Sequence, residues 1–183
     1  MIYMSLLDDI WKWRKQQELI LLDPFLIAAP IKRKLYASKD MYKFLTYEPS
    51  AELEKARILR LQGALDRYIS GANIAVALRH RKKPTANVAR LHPPNCEVWT
   101  IRVRPQSQDQ QLEPQLRAFG RFAGPDLFIM FTCADRDDIR GEDWNTEIRL
   151  CQTEWERLFY PEPPPTIGSM KVNDYISTNF ISV

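Results

Sequence analysis

Cysteine is scarce, with three in 183 residues, and none of Cys96, Cys133 and Cys151 sits in a CxxC pair. The odd count argues against a complete disulfide framework and points to a reducing cytoplasm. Histidine is scarcer still: His80 and His92 are the whole supply. His92 with Cys96 offers two metal ligands but no second pair, a weak basis for a metal site. There is no Gly-rich phosphate loop, and Gly168-Ser169 lacks the pattern of a nucleophile elbow. Long hydrophobic runs are missing too. Leu19 to Pro30 is apolar but short and broken by proline, and Asp8 and Asp9 interrupt the first residues, so neither a membrane span nor a signal peptide is expected. No internal repeat is present.

What is there is an ordinary globular composition, 45% hydrophobic and 27% charged. The length fits one domain with extensions. A net charge of +3 says little about partners, but its distribution says more. Arg79, His80, Arg81, Lys82 and Lys83 form a run, followed by Arg90, Arg102, Arg104, Arg117 and Arg121. Acids are sparse over this span and return in Asp135, Asp137, Asp138, Glu142 and Asp143.

The periodicities predict a helix from Ser5 to Leu22, stopped by Pro24. Two ambiguous stretches, Ile31 to Ala37 and Tyr42 to Tyr47, can each be a strand. The longest helix begins at Pro49-Ser50-Ala51-Glu52, with Ser50 as its cap and an apolar stripe of Ile58, Leu61, Leu65, Tyr68, Ala72 and Ala75. Gly71 divides it, and a second helix ends near His80. Strands are expected at Asn87 to Leu91, Cys96 to Arg104, Gln115 to Phe122 and Asp126 to Ala134, with a polar loop at Gln106 to Pro114. The last strand is apolar on both faces and so central. Short connections favour an antiparallel meander. Asp143 to Tyr160 reads as a helix capped by Asp143, carrying Trp144, Ile148, Cys151, Trp155 and Phe159 on one side. Glu162 to Pro165 must leave it as an extended connector. The tail from Val172 to Val183 is rich in β-formers; it can add an edge strand or reach a neighbouring subunit, which keeps a homodimer open. The expected fold is therefore α+β, an antiparallel sheet of three to five strands with helices packed on it.

Chemistry concentrates on two of these strands. In Glu97 to Arg104 a pleated strand puts Trp99, Ile101 and Val103 on one face and Thr100, Arg102 and Arg104 on the other. Arg117, Phe119 and Arg121 share a face of the next strand. If the two are neighbours, their guanidinium groups converge on one sheet surface suited to phosphate.

A helical pair followed by strands with an arginine-bearing face resembles the RelE/ParE family of bacterial toxins, in particular its phage-associated HigB-type branch. The likeness runs from about Ser50 to Asp138. It is carried by Val88-Ala89-Arg90-Leu91, by Trp99-Thr100-Ile101-Arg102-Val103-Arg104, and by Arg117-Ala118-Phe119-Gly120-Arg121-Phe122 ahead of Leu127-Phe128-Ile129-Met130-Phe131. The resemblance implies a RelE-like core at residues 49–160, a helical extension at 1–48 and an extended tail at 161–183. It implies an RNA or ribosome partner, neutralisation by a small antitoxin, and metal-independent RNA cleavage without a cofactor. In that reaction the RNA 2′-hydroxyl attacks the adjacent phosphate. Arg102 and Arg121 would hold the nonbridging oxygens, with Arg117 and Arg136 as further phosphate contacts. Arg79, Arg81, Lys82, Lys83, Arg90 and Arg104 are the candidate RNA-binding residues. The chain departs from the family pattern after the last core strand, where Cys133 to Asp138 is mainly acidic and no tyrosine follows. Two competing readings are a noncatalytic protein-interaction module of phage or mobile-element origin and a nuclease holding Mg²⁺ in the acidic cluster.

Overall fold

The computed structural model describes residues 2–26, 28–79, 85–103, 115–136, 139 and 144–183. Helix α1 (Ile2–Lys15) buries Leu6 and Ile10, and the Trp13 indole N–H donates to the Leu158 carbonyl at 2.6 Å. It stops well short of Leu22. Gln17 takes a left-handed φ of 58°, and Leu19–Leu21 becomes strand β1. Leu19 and Leu22 satisfy a helical stripe and a strand equally well, so only pairing with a neighbour separates the two.

That neighbour is strand β2 (Lys34–Ser38). Ser38 then caps helix α2 (Lys39–Thr46), its Oγ accepting from the Met41 N–H at 3.4 Å and donating to the Phe131 carbonyl at 3.3 Å. The stretch Tyr42 to Tyr47 is thus mostly helix, not strand. Met41 and Leu45, four apart and both buried, carry the helical phase. Replacing Ser38 with alanine is expected to lower stability by about 1 kcal/mol, read as a lower urea midpoint at an unchanged slope.

Helix α3 (Glu52–Ile69) buries Ile58, Leu61, Leu65 and Tyr68, and its cap position is Ala51, not Ser50, with no side-chain cap bond. Gly71 ends it at a φ of 71°, and a Cβ there would lie 2.8 Å from that of Lys32. No second helix follows. Ile74–Ala77 is strand β3, in which Ile74 and Val76 reach the same core, the two-residue period of a strand. Then come β4 (Val88–Arg90), β5 (Trp99–Arg102), β6 (Leu116–Gly124), β7 (Leu127–Asp135), helix α4 (Trp144–Phe159) and β8 (Phe180–Ser182). The polar loop expected at Gln106 to Pro114, the Asp143 cap and the end of the first basic run lie outside the described residues.

The fold is α+β, but its sheet is larger than expected and mixed. Among the described residues eight strands run in the order β1-β2-β7-β6-β5-β4-β3-β8. β4 to β7 form the expected antiparallel meander. β2 lies parallel to β7, and β3 lies parallel to both β4 and β8. Of the added strands, β1 and β3 come from stretches expected to be helix, β2 from the ambiguous Ile31 to Ala37, and β8 from the tail, which supplies an edge strand. Helices cover both faces. α2, α3 and the segment carrying Val172, Tyr175 and Ile176 pack over one core with Trp99, Ile101 and Phe128. α1 and α4 pack over the other with Phe119, Ile129 and Phe131. β7 is central, and its successive residues feed opposite cores.

Two buried arginines fasten the C-terminal segment to this frame. Arg33 donates to the carbonyls of Ala72 (3.0 Å), Thr178 (2.6 Å) and Asn179 (3.1 Å), and lies 3.5 Å from the Asp126 carboxylate. Arg90 does the same from β4, as described below.

Candidate nucleic-acid interface

The β5–β6 register makes Arg102 and Arg117 direct cross-strand partners. Side chains so placed lie on one face, roughly 5 Å apart at Cβ. Both are half-buried. Arg136 stands just beyond β7, and its main-chain N–H donates to the Gln115 carbonyl at 2.8 Å, which fixes it at the end of the sheet where β6 begins. Burial, and then the positive charge of Arg136, push the Arg102 guanidinium down to about 10. It remains a cation at neutral pH. The α4 side of this corner is walled by Trp144: the Arg117 guanidinium lies 5.2 Å from its ring centre, and the ring meets Phe119 edge-on at 5.9 Å. Arg102, Arg117 and Arg136 are therefore gathered at one sheet end with an aromatic plane beside them.

Arg121 is not part of that corner. It shares the face of Arg117 but lies under α4, only 6% exposed, with its guanidinium 5.4 Å from the Trp155 ring centre. One of its Nη atoms donates to the Cys96 carbonyl. The expected pairing of Arg102 with Arg121 across one phosphate is thus corrected. The helix that the sequence places after the sheet folds back over half of the arginine face.

Arg90 is a second correction. Its register partner is Trp99, so it points to the opposite face of the sheet, where it is fully buried. It pairs with Glu97 at 3.1 Å and donates to the Ser169 carbonyl at 2.8 Å and the Tyr175 hydroxyl at 3.1 Å. Glu97, itself buried, also accepts from the Trp99 indole at 3.2 Å and the Gly168 N–H at 2.6 Å. Such an arginine is an internal cross-link and cannot reach RNA. An acid directly ahead of an apolar strand is the signal in the sequence that could have suggested a buried partner.

Arg79 is exposed but stands elsewhere. Ala77 pairs with Ala89, and Ala89 with Thr100, so Arg79 lies level with Leu91 and Val98, roughly 13 Å along the sheet from Arg102 at about 3.3 Å per residue. His92, also exposed, leaves β4 at that same distant end and is not placed to exchange a proton beside Arg102. Arg81, Lys82, Lys83, Arg104 and His80 lie outside the described residues. So do Asp137, Asp138, Glu142 and Asp143 of the acidic cluster. Asp135 is ion-paired with Arg57, and Cys96 is buried, with its thiol pushed up by burial. Among the described residues no group of three or more His, Cys, Asp or Glu forms a set that could hold a metal ion, and no helix is long and apolar enough to cross a membrane.

Comparison with protein-family models, with curated proteins and with solved structures finds no match for this chain.

Proposed function

We propose that this chain binds the phosphodiester backbone of RNA at the corner formed by Arg102, Arg117 and Arg136. The observation that carries this reading is the cross-strand Arg102–Arg117 pair with the charge of Arg136 bearing on it. Three arginines gathered at one sheet end give a cluster of guanidinium donors of the kind that recognises an anion. Guanidinium groups recognise phosphate oxygens in pairs.

The toxin-type reading draws support from the order of elements. Of the elements that carry the resemblance, the long helix α3 and the arginine-bearing antiparallel strands β4 to β7 are present. Strand β3 stands where the second helix of the pair was expected, and α1, β1, β2, α2 and β8 lie outside the stretch that carries the likeness. Binding without cleavage is the form we adopt. A guanidinium stays protonated and makes a poor base, and His92 stands at the wrong end of the sheet.

The test is fluorescence anisotropy with a labelled single-stranded RNA. Arg102→Ala and Arg117→Ala are each expected to weaken binding about tenfold and to flatten its dependence on log salt by nearly one unit. Arg79→Ala should leave affinity within about twofold. In cells, any growth arrest on expression should be relieved by the Arg102→Ala, Arg117→Ala double variant. Unchanged RNA affinity in that double variant would remove the proposal.

A further inference from the structure

β8 forms one edge of the sheet, and β3 and β4 stand between it and β5 of the arginine corner. It runs parallel to β3, with Phe180, Ile181 and Ser182 level with Ile74, Ala75 and Val76. The Ile74 N–H donates to the Asn179 carbonyl at 3.1 Å, and the Val183 N–H to the Val76 carbonyl at 3.0 Å. In a parallel ladder a residue bonds the two residues flanking its partner, so Ile74 and Val76 take up the main-chain groups of residues 179, 181 and 183. Phe180 and Ser182 therefore turn their N–H and C=O groups outward, where no further strand stands among the described residues. Every residue from Ser177 to Val183 is exposed or half-buried, so solvent reaches this edge along its length. The β1 edge differs, with Leu19 only 1% exposed.

Natural sheets guard an edge with charge, proline or a bulge. The β8 edge has none of these. Tyr175 to Val183 holds no charged residue and no proline, and the register with β3 is unbroken. The strand is held in place from both faces: Phe180 packs on the core beneath α3, and Val183 packs against Ala77, Ala86 and Ala89. Ile181 between them is 55% exposed. Its neighbour in β3 is Ala75, too small to cover it.

We propose that β8 of a second copy of this chain pairs antiparallel with β8 across a two-fold axis at Ile181. Phe180 then faces Ser182 of the partner subunit, and Ser182 faces the partner's Phe180, so each outward N–H and C=O meets its complement. Ile181 faces the partner's Ile181 as a non-bonded pair, the closer kind, and the two exposed side chains cover each other. An axis at Phe180 is worse, because it sets Ser182 against Thr178 of the partner subunit, whose carbonyl Arg33 holds at 2.6 Å in each copy. The edge is its own complement: no charge meets its like, and a charged partner strand finds no opposite charge on it. An isologous contact of this kind closes at two copies. The strands are short, so the dimer is weak, with a Kd on the order of 0.1 mM. The proposal is independent of RNA binding at the arginine corner.

The test is sedimentation equilibrium of the full chain from about 10 µM to 1 mM, a span that brackets this constant. Reversible association that stops at the dimer is expected. Ile181→Lys places two ammonium groups opposite each other at the axis, and Ile181→Glu two carboxylates; each should weaken the dimer about tenfold or more. The position is exposed, and circular dichroism checks the fold. An equimolar mixture of the two variants should regain a dimer, because residue 181 meets its own copy only on a two-fold axis. Ser182→Pro removes an outward N–H while sparing the bonds to β3, and should weaken the dimer as well. A monomer throughout the concentration range would overturn the proposal. So would a dimer that Ile181→Lys leaves intact, which would place the contact elsewhere, or a mixture of the two variants that associates no better than either alone.

Discussion

Replacing Arg90 with methionine should cost about 3–5 kcal/mol of folding free energy, the range for removing one partner of a buried ion pair. Domains of this size are stable by only about 5–15 kcal/mol, so a large share of the total is at stake. Arg90 is fully buried beside Glu97, which is 1% exposed. Without the cation, the Glu97 carboxylate keeps the Trp99 indole, the Gly168 N–H and the Tyr175 hydroxyl, but its charge has no counter-ion in an apolar setting. The Arg90 guanidinium also lies 5.6 Å from the Trp99 ring centre and 5.8 Å from that of Tyr175, contacts that methionine replaces only in part. Urea denaturation of Arg90→Met, Glu97→Gln and the double variant tests this as a cycle. The double variant should recover part of the loss, because no uncompensated charge remains. A loss under about 1 kcal/mol for Arg90→Met, typical of an exposed pair, would contradict the assignment of Arg90 as a structural cross-link.

Gly120→Ala should be more disruptive than its single added methyl suggests. A Cβ at this position would overlap the Ile129 carbonyl oxygen and lie 2.8 Å from the Ile129 carbonyl carbon and 2.9 Å from the Met130 Cα. The ladder between β6 and β7 is irregular at this point, shifting register between Phe119 and Gly120. Main chain has to give way in the centre of the sheet, with Trp99 paired on the other side of Gly120. Overpacking of this severity is expected to cost upward of about 3 kcal/mol, seen as loss of soluble protein or a large fall in melting temperature. Gly168→Ala is the matched contrast. Its Cβ would meet nothing within 4 Å, and only its φ of 75° resists, so about 1 kcal/mol is expected. Similar losses for the two variants would show that the β6–β7 irregularity has slack.

The sequence made the strongly periodic elements readable: the stripe of α3, the two-faced apolar run of β7, and the Trp144-to-Phe159 side of α4. Elements that failed did so where two periods fit the same residues. Leu19 and Leu22 serve a helix or a strand; Met41 and Leu45 announce α2 only once the β-forming Tyr42 and Tyr47 are set aside. The parallel neighbours of β7 and β4 depend on chain crossing that no local pattern encodes. At the site, alternation along each strand placed Arg102 and Arg117 on one face. It could not show that α4 lies over Arg121, nor that Glu97 and Tyr175, 78 residues apart, enclose Arg90. Burial of an arginine is a property of what arrives later to cover it.

Arg33 and Arg90 both find acceptors in the segment between Ser169 and Asn179. Until the ribosome has released that stretch, two cations already committed to the interior lack part of their set of acceptors. Closure of the core around Trp99 therefore waits for this stretch, and a nascent chain halted before Ser169 should stay open to proteases.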